Sequence, residues 1–199
     1  MFSKRRFIPV NHRVLFQASL FSVFLLLSLF CLSCQTESGE DGWSADGVIS
    51  AGEYTDNASY INGAYSLSWT SDEEYIYIGI EAKTNGFVAI GFGNSMLQTD
   101  VVFGYVKDGE TYIYDVYINS YLGPHPEDTD LGGTDDILDY GASEEGDYTI
   151  IEFKRKLDTG DNFDSAIIKG ESNNILWAFG GTDGMMSIHS QRGYDSIEP

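Results

Sequence analysis

Cysteine is almost absent from this chain, and its two copies, Cys31 and Cys34, sit three residues apart near the N-terminus. Everything after them is cysteine-free, so no internal disulfide can brace a folded domain there and no cysteine nucleophile is available. Basic residues are nearly as scarce: seven Lys and Arg follow Cys34, against 31 Asp and Glu, a formal charge of −24. Such a surface repels phosphate backbones and anionic lipid, which argues against a nucleic-acid partner. Long helical periodicities are missing, and so are a Gly-x-Ser-x-Gly elbow, an HExxH pair and a phosphate-cradling glycine loop. Nothing singles out a catalytic carboxylate pair among the acidic residues, so the chain reads as a non-enzyme. It also lacks CxxCH, which excludes covalent haem attachment of that kind.

The N-terminus has what the remainder lacks. Lys4, Arg5, Arg6 and Arg13 precede a nearly continuous apolar run from Val14 to Leu32. A basic start followed by an apolar stretch reads as a secretory signal over residues 1–33, to be left out of fold reasoning. The small residue Ser33 before Cys34 resembles a bacterial lipobox with Cys34 as the acylated residue, although Cys31 stands where leucine is usual. An uncleaved membrane anchor is the alternative, since the run approaches the length that spans a bilayer. Both readings export the domain. Residues 34–42, with the polar run QTESGEDG, read as a flexible tether, leaving 43–199 as one domain on the outer side of the membrane.

In that domain the apolar residues recur with period two, enriched in Tyr, Phe, Ile and Val. The pattern predicts strands at 65–69, 75–82, 87–92, 101–106, 111–118, 148–156 and 175–179. Weaker signals fall at 48–54, 137–140, 166–169 and 194–197. Lys107-Asp108-Gly109-Glu110 is a hairpin turn whose Asp-Gly pair suits positive φ. About ten short strands with turn residues between them predict an all-β antiparallel sandwich. Three loops stand out: 94–99 with Met96, the acidic 123–136 with His125, and 180–192 with Met185, Met186 and His189. Long loops on a rigid sandwich are where function usually sits.

Ordered blocks then resemble the DOMON domain: Trp69 and Asp72 before YIYIGIEA, then GFVAIGFG, Met96, and Asp100 in DVVFG. YIYD (112–115), IEFKRKLDTGD (151–161), ILWAFG (175–180), His189 and Arg192-Gly193 continue the series to the C-terminus. The resemblance implies an immunoglobulin-like β-sandwich that binds haem in some members and sugars or other small molecules in others. In haem-binding members a methionine after the GFG-like strand and a histidine before the last strand ligate the iron. Those positions are Met96 and His189 here, with Arg192 a candidate partner for a haem propionate. Thioether and imidazole are neutral ligands that favour reduced iron and raise its potential, as befits electron transfer. If all the strands simply alternate up and down, both residues lie at the same end of the sandwich. Either Met185 or Met186 is an alternative sulfur ligand, and either can instead pack in the core.

Two readings therefore stand beside a non-covalent haem b module working with a separate redox partner. One is a carbohydrate or small-ligand module at the same end, with Trp177 and Tyr121 stacking on a sugar. The other is a structural or interaction domain. The acidic loop is a Ca²⁺ candidate through Asp128, Asp130 and Asp136, since an EF-hand frame begun at Asp128 matches at Asp130 and Gly133. The frame fails at Gly132, Asp135 and Asp139, and a solvated acidic loop is the simpler reading. His125, beside Glu127 and Asp128, is an expected exposed loop residue and a further metal-ligand candidate.

Overall fold

The computed structural model describes residues 42–199, which fall within one compact unit. The expected signal peptide, the acylated Cys34 and the tether up to Asp41 lie outside the described residues. Among the described residues no helix is long and apolar enough to cross a membrane.

Ten strands form two antiparallel five-stranded sheets. Sheet I carries β1 (Asp56–Tyr60), β2 (Tyr65–Ser71), β3 (Tyr75–Ala82), β7 (Ile137–Glu145) and β8 (Tyr148–Lys156), in the order β1-β2-β3-β8-β7. Sheet II carries β4 (Val88–Phe92), β5 (Thr99–Lys107), β6 (Glu110–Ile118), β9 (Asn173–Phe179) and β10 (Gln191–Ile197), in the order β10-β9-β4-β5-β6. One helical turn, α1 (Asp128–Leu131), precedes β7. The expected all-β antiparallel sandwich is what forms.

Period-two alternation explains the core. Leu67 and Trp69 of β2, Ile76, Ile78 and Ile80 of β3, and Ile151 and Phe153 of β8 face Val88, Ile90, Val102, Ile175 and Phe179 from sheet II. These side chains exclude water, and non-directional burial of this kind is the main favourable term holding two sheets face to face. The β5–β6 hairpin turns at Asp108 (φ 53°) and Gly109 (φ 81°), as Asp-Gly predicts.

Two weak strand expectations are overturned. Residues 48–54 are irregular, because the amides of Gly47 and Val48 donate to the buried Glu152 carboxylate instead of to a neighbouring strand. The edge strand in that region is β1, whose polar sequence DNASY carries no hydrophobic signal. Residues 166–169 join no ladder either; Ile167 donates to the Leu157 carbonyl at 2.7 Å as the chain passes between elements.

Losing that strand reverses the expected parity. β9 lies directly beside β4 and antiparallel to it. The loop after β4, with Met96, and the loop after β9, with His189, therefore leave sheet II at opposite ends.

Candidate functional site

Sheet II differs from an ordinary sandwich sheet in burying both faces. Every residue of β4 is buried, as is every residue of β5 except Lys107. The outward face holds a second apolar cluster built from Phe87, Ala89, Val101, Phe103, Tyr105, Val116 and Ile118. Loops cover it, and between loops and sheet lies a cavity of about 350 Å³. That size is within the range of small-molecule pockets.

Small residues create the hollow. Ala89 on β4 pairs directly with Ala178 on β9, so the floor has two methyl groups where larger side chains would fill the space. Gly91 completes this strip: a Cβ there would stand 2.8 Å from Leu176 and 2.9 Å from Val101, which close over it. Phe87 and Phe103 stack at 4.6 Å between ring centroids and form a rigid apolar border.

Three loops supply the walls. The first leaves β4 and carries Met96, half-buried against the outer cluster. It is held by the Gln98 amide donating to the Ile118 carbonyl and by the Thr99 hydroxyl donating to the carbonyl of Ser95. The second leaves β6 and folds back along it, with the Tyr117 amide donating to the Pro126 carbonyl at 3.1 Å. That return lays Tyr121, Leu122 and His125 against the cavity. The third leaves β9, carries Met185, Met186, Ile188 and His189, and packs so closely on Gly86 that a Cβ there would meet the Gly180 oxygen at 2.4 Å.

Met96, His189 and Arg192 all line this one cavity. They do so across the outer face of sheet II and not at one end of the sandwich, which corrects the expected location. Met96 enters from the end where β4 finishes, and His189 from the end where β9 finishes.

Electrostatics keep the imidazoles available. Burial and then the nearby Arg192 cation hold His189 below the usual histidine range, so its ring is neutral and has a free lone pair at neutral pH. Burial does the same to His125, which is half-buried in the wall and not the exposed loop residue expected. Its Nδ1 has no hydrogen-bond partner, nor does Nε1 of Trp177, and both residues line the cavity. Arg192 is exposed at the rim. Met185 is half-buried against the outer cluster, and Met186 is 70% exposed at the mouth. Exposed Leu122 (86%) and Ile188 (84%) continue the apolar rim.

The acidic candidates are arranged differently from the sequence expectation. Asp130 is exposed on α1 and Asp136 is partly exposed, whereas Asp128 is 1% exposed. Among the described residues, the carboxylates brought within ligating distance of one another are Asp100, Asp115 and Asp164. Sequence reading missed this trio, although an aspartate inside the apolar strands DVVFG and YIYDVYI is a visible break in their pattern.

Residues 61–180 match the DOMON domain family. The chain is 34% identical over 122 residues to DBH-like monooxygenase protein 1 of Mus musculus, covering 59% of this chain and 18% of that protein. It is 31% identical over 141 residues to the Homo sapiens protein of that name, covering 68% and 22%. The chain thus spans about a fifth of the length of these relatives. Among solved structures, the cytochrome b domain of pyranose dehydrogenase from Coprinopsis cinerea shares the fold, with a TM-score of 0.51 at 17% identity over 67% of this chain and 75% of that one. The matched segment takes in eight of the ten strands whole, β2 to β9, and on that extent the chain belongs to the DOMON domain family.

Proposed function

We propose that the outer-face cavity binds haem b without covalent attachment, that Met96 and His189 would hold its iron, and that the domain passes single electrons to a separate redox partner. The observation that carries this reading is the meeting of these two side chains, from opposite ends of sheet II, in one apolar cavity. The residues fit the group. The floor of Ala89, Val101, Phe103, Leu176 and Ala178 suits a porphyrin face, and Arg192 at the rim suits a propionate. The likeness in fold to a domain named as a cytochrome b domain supports the same reading.

Haem would supply one-electron chemistry, and Met/His ligation would favour its reduced form. The chain's own residues do the rest. Met96 and His189 fix orientation, burial keeps His189 neutral, and the apolar walls exclude water. In this reading the domain is not itself a catalyst but serves one.

A second reading, carbohydrate or small-ligand binding, draws on Trp177 and Tyr121, which both line the cavity. It is the weaker, because the floor side chains Ala89, Val101, Phe103, Leu176 and Ala178 hold no hydrogen-bonding group for sugar hydroxyls. We further place the protein on the outer side of a cell membrane, held through lipid on Cys34, on the strength of its basic and apolar leader. Loss of fatty-acid labelling in Cys34→Ser would support that anchor, and unchanged labelling would remove it.

The test of the haem reading is the absorption spectrum of the full chain produced in a haem-sufficient host, oxidised and then reduced. A six-coordinate low-spin spectrum that turns high-spin in both Met96→Ala and His189→Ala supports it. Haem uptake indifferent to both substitutions would sink the assignment.

A further inference from the structure

At one end of the sandwich the space between the sheets is filled by charge in place of hydrocarbon. Asp100 on β5 and Asp115 on β6 point inward from sheet II, and Arg155 on β8 points inward from sheet I to meet Asp100 at 2.8 Å. Asp128 opens α1, and Asp164 comes from the connection between β8 and β9, 3.4 Å from Arg155. Exposure is 1% at Asp100, 4% at Asp115 and 1% at Asp128, and the Asp164 side chain is equally enclosed at 1%. Four buried carboxylates thus share one guanidinium.

Backbone donors satisfy part of this set. The Ser165 amide donates to Asp100 Oδ2 at 2.9 Å, and the Asp136 amide to Asp115 Oδ2 at 2.9 Å. The remaining oxygens have no such partner: Asp100 Oδ1, Asp115 Oδ1 and both oxygens of Asp128 are buried and accept no hydrogen bond. Asp128 is the decisive member. It is 1% exposed, both its oxygens are buried without a hydrogen-bond partner, and the charges it feels most strongly are those of Asp164 and Asp100. Unpaired buried carboxylates are costly enough that a protein must neutralise them or supply a counter-charge.

We propose that Asp100, Asp115, Asp128 and Asp164 form a site for a hard divalent cation of the calcium kind. Ligand oxygens from Asp100, Asp115 and Asp164 all lie within 4.8 Å of one another. Opposed ligands of an ion with bonds of about 2.4 Å stand about 4.8 Å apart, so one Ca²⁺ reaches all three. An all-oxygen carboxylate set, without nitrogen or sulfur, selects hard cations over zinc or copper. A divalent charge beside Arg155 offsets three of the four negative charges.

The site has a structural consequence. It joins β5, β6 and the β8–β9 connection to α1, and Asp128 lies three residues beyond His125. The loop from β6 to α1, which lays Tyr121, Leu122 and His125 against the cavity, is thereby pinned at its far end. The cation would act as a positioning element for that wall, and the proposal stands whether or not haem occupies the cavity.

The test uses the full chain in mild detergent, stripped with a chelator and titrated with Ca²⁺ alone by calorimetry and thermal unfolding. The expected result is saturable uptake of one ion, a rise of several degrees in Tm, and slower protease cleavage in the loop after β6. Asp128→Asn should weaken uptake by at least about tenfold, in keeping with what changes around a metal site generally cost. Asp130→Asn, exposed on the same turn, should leave uptake unchanged. Should Asp128→Asn not fold, Asp164→Asn reads the same affinity. No saturable site in the wild type, or equal uptake in Asp128→Asn, would overturn the proposal. Stabilisation by Asp128→Asn with Ca²⁺ without effect on either protein would mean that protons neutralise the cluster, and overturns it too.

Discussion

Sheet II carries two apolar faces with the same kinds of residue and different outcomes. Its inward face, through Val88, Ile90, Val102 and Ile175, meets sheet I, and these side chains are fully buried at 0% exposure. Its outward face, through Ala89, Val101, Phe103 and Leu176, meets only loops and leaves a cavity of about 350 Å³. Both faces are hydrophobic, yet only one is closed. The difference lies in what covers each: a second sheet repeats the pleat and fills every gap, whereas loops bridge over a floor of alanines. Apolar surface that packing leaves unfilled marks a site for a ligand.

The largest expected effect comes from the closed face. Phe153→Ala, at a fully buried position opposite sheet II, should cost about 3–5 kcal/mol in urea unfolding, because a close-packed core cannot collapse around the lost ring. Phe103→Ala on the open face should cost under about half as much, since its ring already borders empty space. Equal losses at the two positions would break the comparison.

Next comes the charged end of the same interior. Arg155→Met removes the one cation facing four buried carboxylates and should cost about 3 kcal/mol or more at neutral pH. Burial, with the neighbouring carboxylates, pushes Asp115 up to about 8 and Asp128 to about 7, and burial raises Asp164 to about 6. The folded state therefore holds protons that the unfolded chain releases near its ordinary value of 3.8. In chelator, wild-type stability should fall as pH rises from about 4 to about 8, the direction required when the native state binds more protons. Added Ca²⁺ should flatten that fall, and Tm measured across the range with and without the ion reads both.

The smallest stability effect should belong to the cavity wall. His189→Gln should change unfolding free energy by no more than about 0.5 kcal/mol, since the ring is only partly buried and sits on a loop. It should nonetheless abolish low-spin haem. Because His189 is held neutral, haem affinity should also decline as pH drops below the ordinary histidine value of 6.5, which a haem-release titration would follow.

Much of the fold was legible because strands such as YIYIGIEA and YTIIEFKRK announce themselves by alternation and bulky β-branched or aromatic residues. The edge strand DNASY was not, since a strand half in water needs no apolar run. Met96 and His189 were legible as residue types in distinct loops. Their arrangement was not, because strand order decides it: once β9 pairs with β4, simple alternation places His189 at the wrong end. The continuous apolar run TDVVFGYV held an unread message, for a strand buried on both sides of an outer sheet implies a cover on each. The carboxylate cluster needed the third dimension, drawing Asp100, Asp115 and Asp164 together from three separate segments, with Asp128 buried on a fourth.

The most direct test of the central claim, that the outer face of sheet II is the ligand site, is haem stoichiometry in a variant whose hollow is filled. Ala178→Trp places a large ring on the cavity floor while leaving the inward face untouched. The expected result is about one haem per chain in the wild type and none in the variant, with Tm changed by only a few degrees. Full haem occupancy in Ala178→Trp, with the fold intact, would show that haem binds elsewhere and would contradict it.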